Sequence, residues 1–251
     1  HVASVGLVVE ATFAPRRVFI IDATPDLRAQ IDMALSPDGY ASRPPGLPVD
    51  GFLLTHAHIG HYLGLVYLGR EAMGAAAVPV HTTARMSAFL SGNGPWKSLV
   101  DGRHIDLRVM TPGNAVKLAP GLSVTPLRVP HREEESDVVG FLVTGPNRRL
   151  LYIPDIDDWS RWDQDIAALV GSVDYALLDA TFYSPEELGA RAMADVPHPL
   201  VPSTMERLGP LVKKGHRVLF IHLNHTNPVL RPGTRERAEV LKRGFELAVE
   251  G

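Results

Sequence analysis

The chain has 251 residues, of which 45% are hydrophobic and 21% are charged, and its formal net charge is -3. That length can bury a full core, and the absence of cysteine excludes disulfides, thiolate metal ligands and a cysteine nucleophile. The balanced charge does not indicate a nucleic-acid or acidic membrane partner, and no apolar stretch reaches the ~20 residues of a transmembrane helix. We therefore expect a small-molecule substrate, while the oligomeric state, a dimer included, stays open.

The start of the chain, at His1, already reads as a strand. We expect that a preceding segment is absent from the sequence: a signal peptide, a disordered segment or a first strand. The location stays open between cytoplasm and periplasm, with export expected if a signal peptide was removed. No linker divides the chain, so we predict a single domain over residues 1–251.

Apolar and alternating segments predict strands along the whole chain. In chain order they are Val5–Glu10, Arg17–Asp22, Gly51–Leu54, Ala77–Thr83, Leu122–His131, a hairpin over Val138–Asp155, Ser172–Phe182 and Gly215–His225. Helices are predicted at Asp22–Leu35, Gly60–Ala75, Ala84–Gly92 and Arg235–Gly251. Loops are expected around Pro15 and over Ser36–Asp50. This mixture favours a layered α/β fold.

Four of the predicted strands end in residue types that bind metals. These residues are His56, His131, Asp155 and His222. Residues at strand ends rest on rigid supports while their loops converge, which a metal site requires.

A histidine cluster follows the strand Gly51–Leu54. His56, His58 and His61 place three of the eleven histidines within six residues. Side chains alternate in extended chain, so the first two can point the same way. Neutral imidazole suits zinc, iron, nickel and copper, and carboxylate can complete such a site. A single histidine is more often an ordinary surface or core residue, and that interpretation is kept for His81, His104 and His216.

The segment "THAHIGH" resembles the HxHxDH motif of the metallo-β-lactamase superfamily, and the strand ends "VPH", "PD" and "FIH" resemble its remaining metal-ligand motifs. The resemblance implies a four-layer αβ/βα sandwich. The segments "SGNGPW", "YIPDIDDW", "LLDATFY" and "FIHLNHTNP" are similar to the branch of coenzyme PQQ biosynthesis protein B. The resemblance covers most of the chain, but the extra first strand and the cysteine-rich segment usual in that branch are absent here.

The metal ligands follow from this resemblance. It implies a first metal held by His56, His58 and His131, and a second held by His61 and His222, with Asp155 bridging. Gly60 departs from the pattern, because the superfamily usually has an aspartate there as a ligand of the second metal. That metal would keep three protein ligands and solvent, or recruit His225. Zinc is expected, as one or two ions, with iron or manganese as alternatives.

Other residues have two interpretations each. His198 resembles the proton-donating histidine of phosphodiesterase branches, and an ordinary loop histidine is the alternative. Asp179 is expected either to orient a ligating histidine or to cap a turn. The segment Arg132–Ser136 either borders the pocket or forms a solvated charged loop. Four aromatic residues either line a cleft or pack inside the protein: Tyr62, Trp96, Trp159 and Trp162.

These residues predict a metal-dependent hydrolase that directs a metal-bound hydroxide at an ester, lactone, amide or phosphodiester. Asp155 would also position the water, and His198 would be the acid. The PQQ-related branch is associated with iron-dependent hydroxylation of tyrosine in a small peptide, so the first alternative is an iron-dependent oxygenase in PQQ-like cofactor biosynthesis. His56 and His58 lie where that branch typically departs from the full histidine set, which favours hydrolysis. A non-catalytic carrier is the second alternative.

Overall fold

The computed structural model describes residues 3–11, 14–189 and 195–248. They form two compact units. The N-terminal unit contains residues up to Pro120 together with Glu133–Val138, and the C-terminal unit contains Gly121–Arg132 and the residues from Val139 onward. The expectation of one domain over the whole chain stays a prediction.

The first sheet has five strands in the order β1-β2-β3-β4-β5. They are β1 (Val5–Ala11), β2 (Ala14–Ile21), β3 (Gly51–Leu53), β4 (Val78–Thr82) and β5 (Ile105–Val109). The β1–β2 pair is antiparallel and the other pairs are parallel. The helices of this part are α1 (Leu27–Leu35), α2 (Ile59–Tyr62), α3 (Ala84–Gly92) and α4 (Trp96–Asp101).

The core of the N-terminal unit includes residues from its strands and its helices. Ile20 and Val80, on two strands of the sheet, are fully buried. Helix α1 adds Leu27, Ile31 and Leu35, which recur every four positions and therefore share one helix face. Burial of each such side chain contributes about 1.5–3 kcal/mol, which fixes the helix against this core.

The second sheet has seven strands in the order β12-β11-β10-β9-β8-β7-β6. They are β6 (Val116–Ala119), β7 (Leu122–Arg128), β8 (Val139–Thr144), β9 (Arg149–Ile153), β10 (Tyr175–Asp179), β11 (Arg217–Ile221) and β12 (Glu246–Leu247). β7, β8 and β9 pair antiparallel, and β9 to β12 pair parallel. The helices are α5 (Ile166–Gly171), α6 (Val201–Val212) and α7 (Arg235–Lys242). No helix in the described ranges is both long and apolar enough to cross a membrane.

The predicted α/β class is confirmed, with two sheets and their flanking helices. Each predicted strand is present, and the hairpin of β8 and β9 turns after Thr144 as predicted. Helix α3 has the predicted bounds, and it begins where the Thr83 side chain accepts a hydrogen bond from the Met86 N–H.

The predicted helix over Gly60–Ala75 is wrong. Helix α2 ends at Tyr62, and a 3-10 helix follows at Leu63–Leu68. A side chain at Gly64 would collide with the backbone carbonyl of Thr24, so the chain passes very close to the start of α1 there. This close approach is a tertiary contact that helical periodicity does not reveal.

Two further local predictions are wrong. Pro15 lies inside β2 rather than in a loop, and it is tolerated because β3 pairs only with the far end of β2. The last predicted helix stops at Lys242, because Gly244 has positive φ and Glu246–Leu247 then forms β12. Residues 249–251 of that prediction lie outside the described part of the chain.

Several elements were not predicted, namely α4, α5, α6, β5 and β6. Helix α6 contains two prolines, which disfavour a helix in sequence reading. Pro202 lies in the first helical turn, where its missing N–H costs nothing, and Pro210 lies close to the helix end. Thr204, Met205 and Leu208 are buried on its inner face, so packing stabilises this helix.

Candidate metal centre

The strand ends carry the residue types that the sequence predicts. His56 follows β3 after two residues, and His222 directly follows β11. His131 and Asp155 come shortly after β7 and β9. His222 has a φ of 58°, a strained conformation for a non-glycine residue and of a kind that clusters at functional sites.

The N-terminal unit brings the three histidines of the "THAHIGH" segment together. The ring centroid of His56 lies 4.4 Å from that of His58 and 4.2 Å from that of His61. His56 and His61 are buried, and His58 is partly exposed. Three imidazoles at these separations would repel one another if all were protonated, so the cluster is suited to neutral rings that donate lone pairs.

Asp22 organises this cluster. It is fully buried, directly after β2, and accepts hydrogen bonds from the Thr55 N–H at 2.8 Å and the Thr55 hydroxyl at 2.9 Å. Its Oδ2 also lies 2.8 Å from His61 Nδ1, and Thr55 Oγ1 lies 2.9 Å from His56 Nδ1. A carboxylate can only accept, so His61 carries its proton on Nδ1.

The segment Glu133–Val138 packs against the histidine loop of the same unit. The buried Ser136 hydroxyl accepts a hydrogen bond from the Ala57 N–H at 2.9 Å, and Glu134 Oε2 lies 3.3 Å from His58 Nε2. Arg85 donates to the Glu133 carbonyl. Of the two interpretations of Arg132–Ser136, a purely solvated loop is therefore wrong for its last residues.

The C-terminal unit gathers three histidines around Asp155. Oδ2 of this buried carboxylate lies 3.3 Å from His222 Nε2, and Oδ1 lies 3.7 Å from His131 Nε2 and 3.8 Å from His198 Nδ1. One donor atom each from His131, Asp155 and His198 lie within 4.8 Å of one another, and all three residues are buried. Buried donors at this spacing suit a cation.

The other nitrogen of two of these rings is held by an acceptor. His131 Nδ1 lies 2.9 Å from Asp157 Oδ1, and the second oxygen of Asp157 accepts from Arg161 at 2.7 Å. His222 Nδ1 lies 3.0 Å from Thr181 Oγ1. Such contacts fix the orientation of metal-ligating histidines and direct the remaining nitrogen toward the metal.

His198 is held by Asp179. Its Nδ1 lies 2.7 Å from Asp179 Oδ2, and Asp179 also accepts from the Ile156 N–H and from Thr181. Burial lowers the pKa of His198, but the charge and hydrogen bond of Asp179 and the charge of Asp155 raise it more, so its pKa lies above the ordinary value. Both alternatives for Asp179 are present, because its Oδ2 contacts His198 and its Oδ1 accepts from the Thr181 N–H of the following turn at 2.9 Å.

All seven predicted site residues lie in these two clusters. One cluster contains His56, His58 and His61, and the other contains His131, Asp155, His198 and His222. Their roles as ligands or acid stay predictions. Sequence reading missed the residues that hold the rings: Asp22, Thr55, Asp157 and Thr181. The available signals were an acid at the end of "RVFIID" and the two-residue spacing in "DID".

The remaining candidates lie outside the two clusters. His225 is exposed, whereas Asn227 is buried and donates to the carbonyls of Ala180 and Thr181. The four aromatic residues are all buried and packed: Tyr62, Trp96, Trp159 and Trp162. His81, His104 and His216 belong to neither cluster, and His104 and His216 approach backbone carbonyls.

The donors present fit a transition metal. Imidazole and carboxylate are the ligands that zinc, iron and manganese accept, and the rings of His131 and His222 are oriented by acceptors at their Nδ1 atoms. In the other unit, the rings of His56 and His61 are likewise oriented by acceptors at their Nδ1 atoms.

Comparison with known proteins agrees with this geometry. The beta-lactamase superfamily domain matches residues 17–223. Coenzyme PQQ synthesis protein B of Methylobacillus flagellatus is 29% identical over 259 residues, covering 92% of this chain and 81% of that protein. The protein of the same name from Methylorubrum extorquens (strain PA1) is 27% identical over 258 residues, covering 94% and 82%.

Solved structures show the same fold. The Zn(2+)-bound PqqB from Methylobacterium extorquens superimposes with a TM-score of 0.79 at 24% identity, over 99% of this chain and 85% of that one. The short form of human tRNase Z superimposes with a TM-score of 0.58 at 12% identity, over 98% and 89%. The predicted resemblance to the PQQ branch is confirmed. The superfamily match covers most of this chain, from residue 17 to residue 223. The chain therefore belongs to the beta-lactamase superfamily.

Proposed function

We propose that the protein is a metal-dependent hydrolase of a small molecule with an ester, lactone, amide or phosphodiester bond. The observation that carries this proposal is the buried Asp155 carboxylate, which faces Nε2 of His131 and of His222 while acceptors hold the Nδ1 atoms of both rings. Membership of the superfamily supports it, and the fold is shared with a diphosphatase from the PhnP family at a TM-score of 0.61.

The proposed metal is zinc, as one or two ions, and the Zn(2+)-bound PqqB supports this choice. The proposed ligands are His56, His58, His61, His131, Asp155 and His222. Gly60 supplies no side chain where the superfamily usually has an aspartate, so we expect the second ion to bind more weakly than the first.

The chemistry divides between the metal and the chain. A bound metal would supply a water of lowered pKa and polarise the oxygen of the scissile group. Asp155 would orient the attacking water. His198 is held at Nδ1 by Asp179, which leaves Nε2 to give a proton to the departing alkoxide or amine. Its raised pKa keeps more of the ring protonated near neutral pH, as an acid requires.

Metal content and turnover together test this proposal. We expect between one and two equivalents of metal by elemental analysis after growth with zinc, iron and manganese. We also expect turnover of at least one member of a panel of esters, lactones, amides and phosphodiesters. His198→Ala should slow an alkyl ester far more than the matching nitrophenyl ester, because a good leaving group needs no proton. Absence of metal, or equal slowing of both esters, would contradict the ligand set or the acid respectively.

An iron-dependent oxygenase in PQQ-like cofactor biosynthesis is the second candidate, and the relatives named coenzyme PQQ synthesis protein B support the biosynthetic part of it. It requires oxygen, whereas hydrolysis does not. Running the same panel, extended with tyrosine-containing peptides, in air and under nitrogen separates the two. Turnover that stops without oxygen would replace the hydrolase by an oxygenase, and a metal-loaded protein without any turnover would indicate a carrier.

A further inference from the structure

The same hydrogen-bonding arrangement of an aspartate, a threonine and two histidines occurs in both units. In the N-terminal unit the fully buried Asp22 contacts His61 Nδ1 directly at 2.8 Å and reaches His56 through the hydroxyl of Thr55. The two contacts of that hydroxyl measure 2.9 Å each, to Asp22 Oδ2 and to His56 Nδ1. A single carboxylate therefore acts on two histidines, one of them through a threonine.

The C-terminal unit repeats the arrangement with other residues. The fully buried Asp179 contacts His198 Nδ1 directly at 2.7 Å and reaches His222 through the hydroxyl of Thr181. That hydroxyl lies 2.7 Å from Asp179 Oδ1 and 3.0 Å from His222 Nδ1. The threonine again stands between a carboxylate and a ring nitrogen.

The direction in which the threonine hydroxyl donates determines which nitrogen of the histidine ring carries the proton. A threonine hydroxyl has one hydrogen, and an ionised carboxylate can only accept. The hydrogen therefore lies on the side of the aspartate, and the hydroxyl oxygen must accept from the histidine Nδ1–H. The Thr181 hydroxyl can also donate to the His222 carbonyl, 3.2 Å away. If its single hydrogen is used there, the hydroxyl oxygen must still accept from His222 Nδ1–H.

The opposite arrangement is unfavourable. If the Thr181 hydroxyl donated to His222 Nδ1, its oxygen would face Asp179 Oδ1 at 2.7 Å without a hydrogen between them. Both oxygens lie in buried residues, where an unmade hydrogen bond costs about 1–3 kcal/mol.

We propose that Thr55 and Thr181 are positioning residues that hold His56 and His222 in the Nδ1–H tautomer and so direct the Nε2 lone pairs to the metal. This inference rests on the metal binding of the proposed function, and it is independent of the reaction. A neutral imidazole can carry its proton on either nitrogen, and only an unprotonated nitrogen binds a metal. The threonines thereby fix the proton on Nδ1 of both rings.

The test removes each hydroxyl without changing side-chain shape. Thr55→Val and Thr181→Val are compared with Thr55→Ser and Thr181→Ser, which keep the hydroxyl. Thr82→Val is the matched control, because Thr82 is buried and its hydroxyl has no hydrogen-bond partner among the described residues. The readouts are the ¹⁵N shifts of the histidine rings in metal-free protein and the zinc dissociation constant from competition with a chromophoric chelator.

We expect the metal-free wild type to show His56 and His222 protonated on Nδ1. In each valine variant the affected ring should lose this state, and zinc affinity should fall about 10- to 100-fold, the range found for residues behind metal ligands. The serine variants and Thr82→Val should retain wild-type affinity. Circular dichroism and thermal unfolding establish that each variant is folded.

Three results would overturn the inference: Nδ1 atoms without a proton in the wild type, wild-type zinc affinity in both folded valine variants, or serine variants as weak as the valine ones. A wild type that binds zinc but hydrolyses nothing contradicts the proposed hydrolase. It leaves this inference supported if the valine variants still lose zinc.

Discussion

His222 Nε2 lies 3.3 Å from Asp155 Oδ2, and this carboxylate is 3% exposed. The contact of His222 Nδ1 with Thr181 fixes the orientation of this ring. The carboxylate also faces His131. Asp155 is therefore the position in the C-terminal unit where loss of one charge should affect metal binding most.

Asp155→Asn tests that position. The amide keeps the size of the side chain but carries no charge and is a poor ligand for zinc. We expect zinc affinity to fall by more than about 100-fold, the upper range for residues behind the ligands, and hydrolytic turnover to be lost. Chelator competition measures the first effect. Asp163→Asn, an exposed carboxylate of the same unit, is the control and should be unchanged. Equal zinc affinity in both variants would remove Asp155 from the ligand set.

Asp157→Asn tests the acceptor behind His131. The change replaces the anionic partner of His131 Nδ1 and also breaks the contact with Arg161. We expect zinc affinity to fall about 10- to 100-fold with the fold retained. Asp158→Asn changes the neighbouring carboxylate, which accepts from the Ser160 N–H, and it should bind zinc normally. The assignment is wrong if the two variants bind zinc alike.

Gly60→Asp tests the departure from the superfamily motif. Gly60 lies in the helical turn α2, so an aspartate needs no left-handed backbone there. An added anionic ligand should raise the affinity for the second metal about tenfold or more. Titrating zinc into metal-free protein measures this affinity. Gly92→Asp adds the same charge at an exposed, open helical position and should change nothing. Unchanged second-metal affinity in folded Gly60→Asp would show that residue 60 does not face the metal.

His81 should make folding sensitive to acid. Burial, and then the charge of Arg108, lower the pKa of His81 in the folded protein below its ordinary value. Below about pH 6.5 the unfolded chain therefore binds a proton that the folded chain resists, and the free energy of unfolding falls as the pH falls. His81→Gln removes this effect. Urea unfolding at pH 7.5 and 5.5 measures how much the free energy of unfolding falls in acid. This decrease should be smaller in the variant than in the wild type, and equal decreases would contradict the prediction.

Thr82→Val should stabilise the protein. The Thr82 hydroxyl is buried without a hydrogen-bond partner in the described part of the chain, and valine has the same shape without the polar group. Valine is also favoured in strands such as β4. We expect the free energy of unfolding to rise by about 1 kcal/mol, measured by urea unfolding at pH 7.5. A decrease would mean that the hydroxyl has a partner in solution.

The sequence by itself determined most of the strands and the residue types at the ends of four of them. Apolar runs and alternation are local properties, and so is the crowding of His56, His58 and His61 after β3. The superfamily resemblance then identified the candidate ligands. Local patterns predicted the secondary structure less well where contact with a distant segment fixes the backbone conformation. Gly64 is an example, because it packs against Thr24 and the predicted helix ends early there.

Only the tertiary structure decided which group holds each ring nitrogen. His61 is held by a carboxylate 39 positions away, His131 by one 26 positions away, and His222 by a hydroxyl 41 positions away. No periodicity links such pairs, because their distance depends on how the strands pair and where each strand stops. The residues able to bind a metal can thus be read from the chain, whereas the proton position on each ring follows from contacts that exist only after folding.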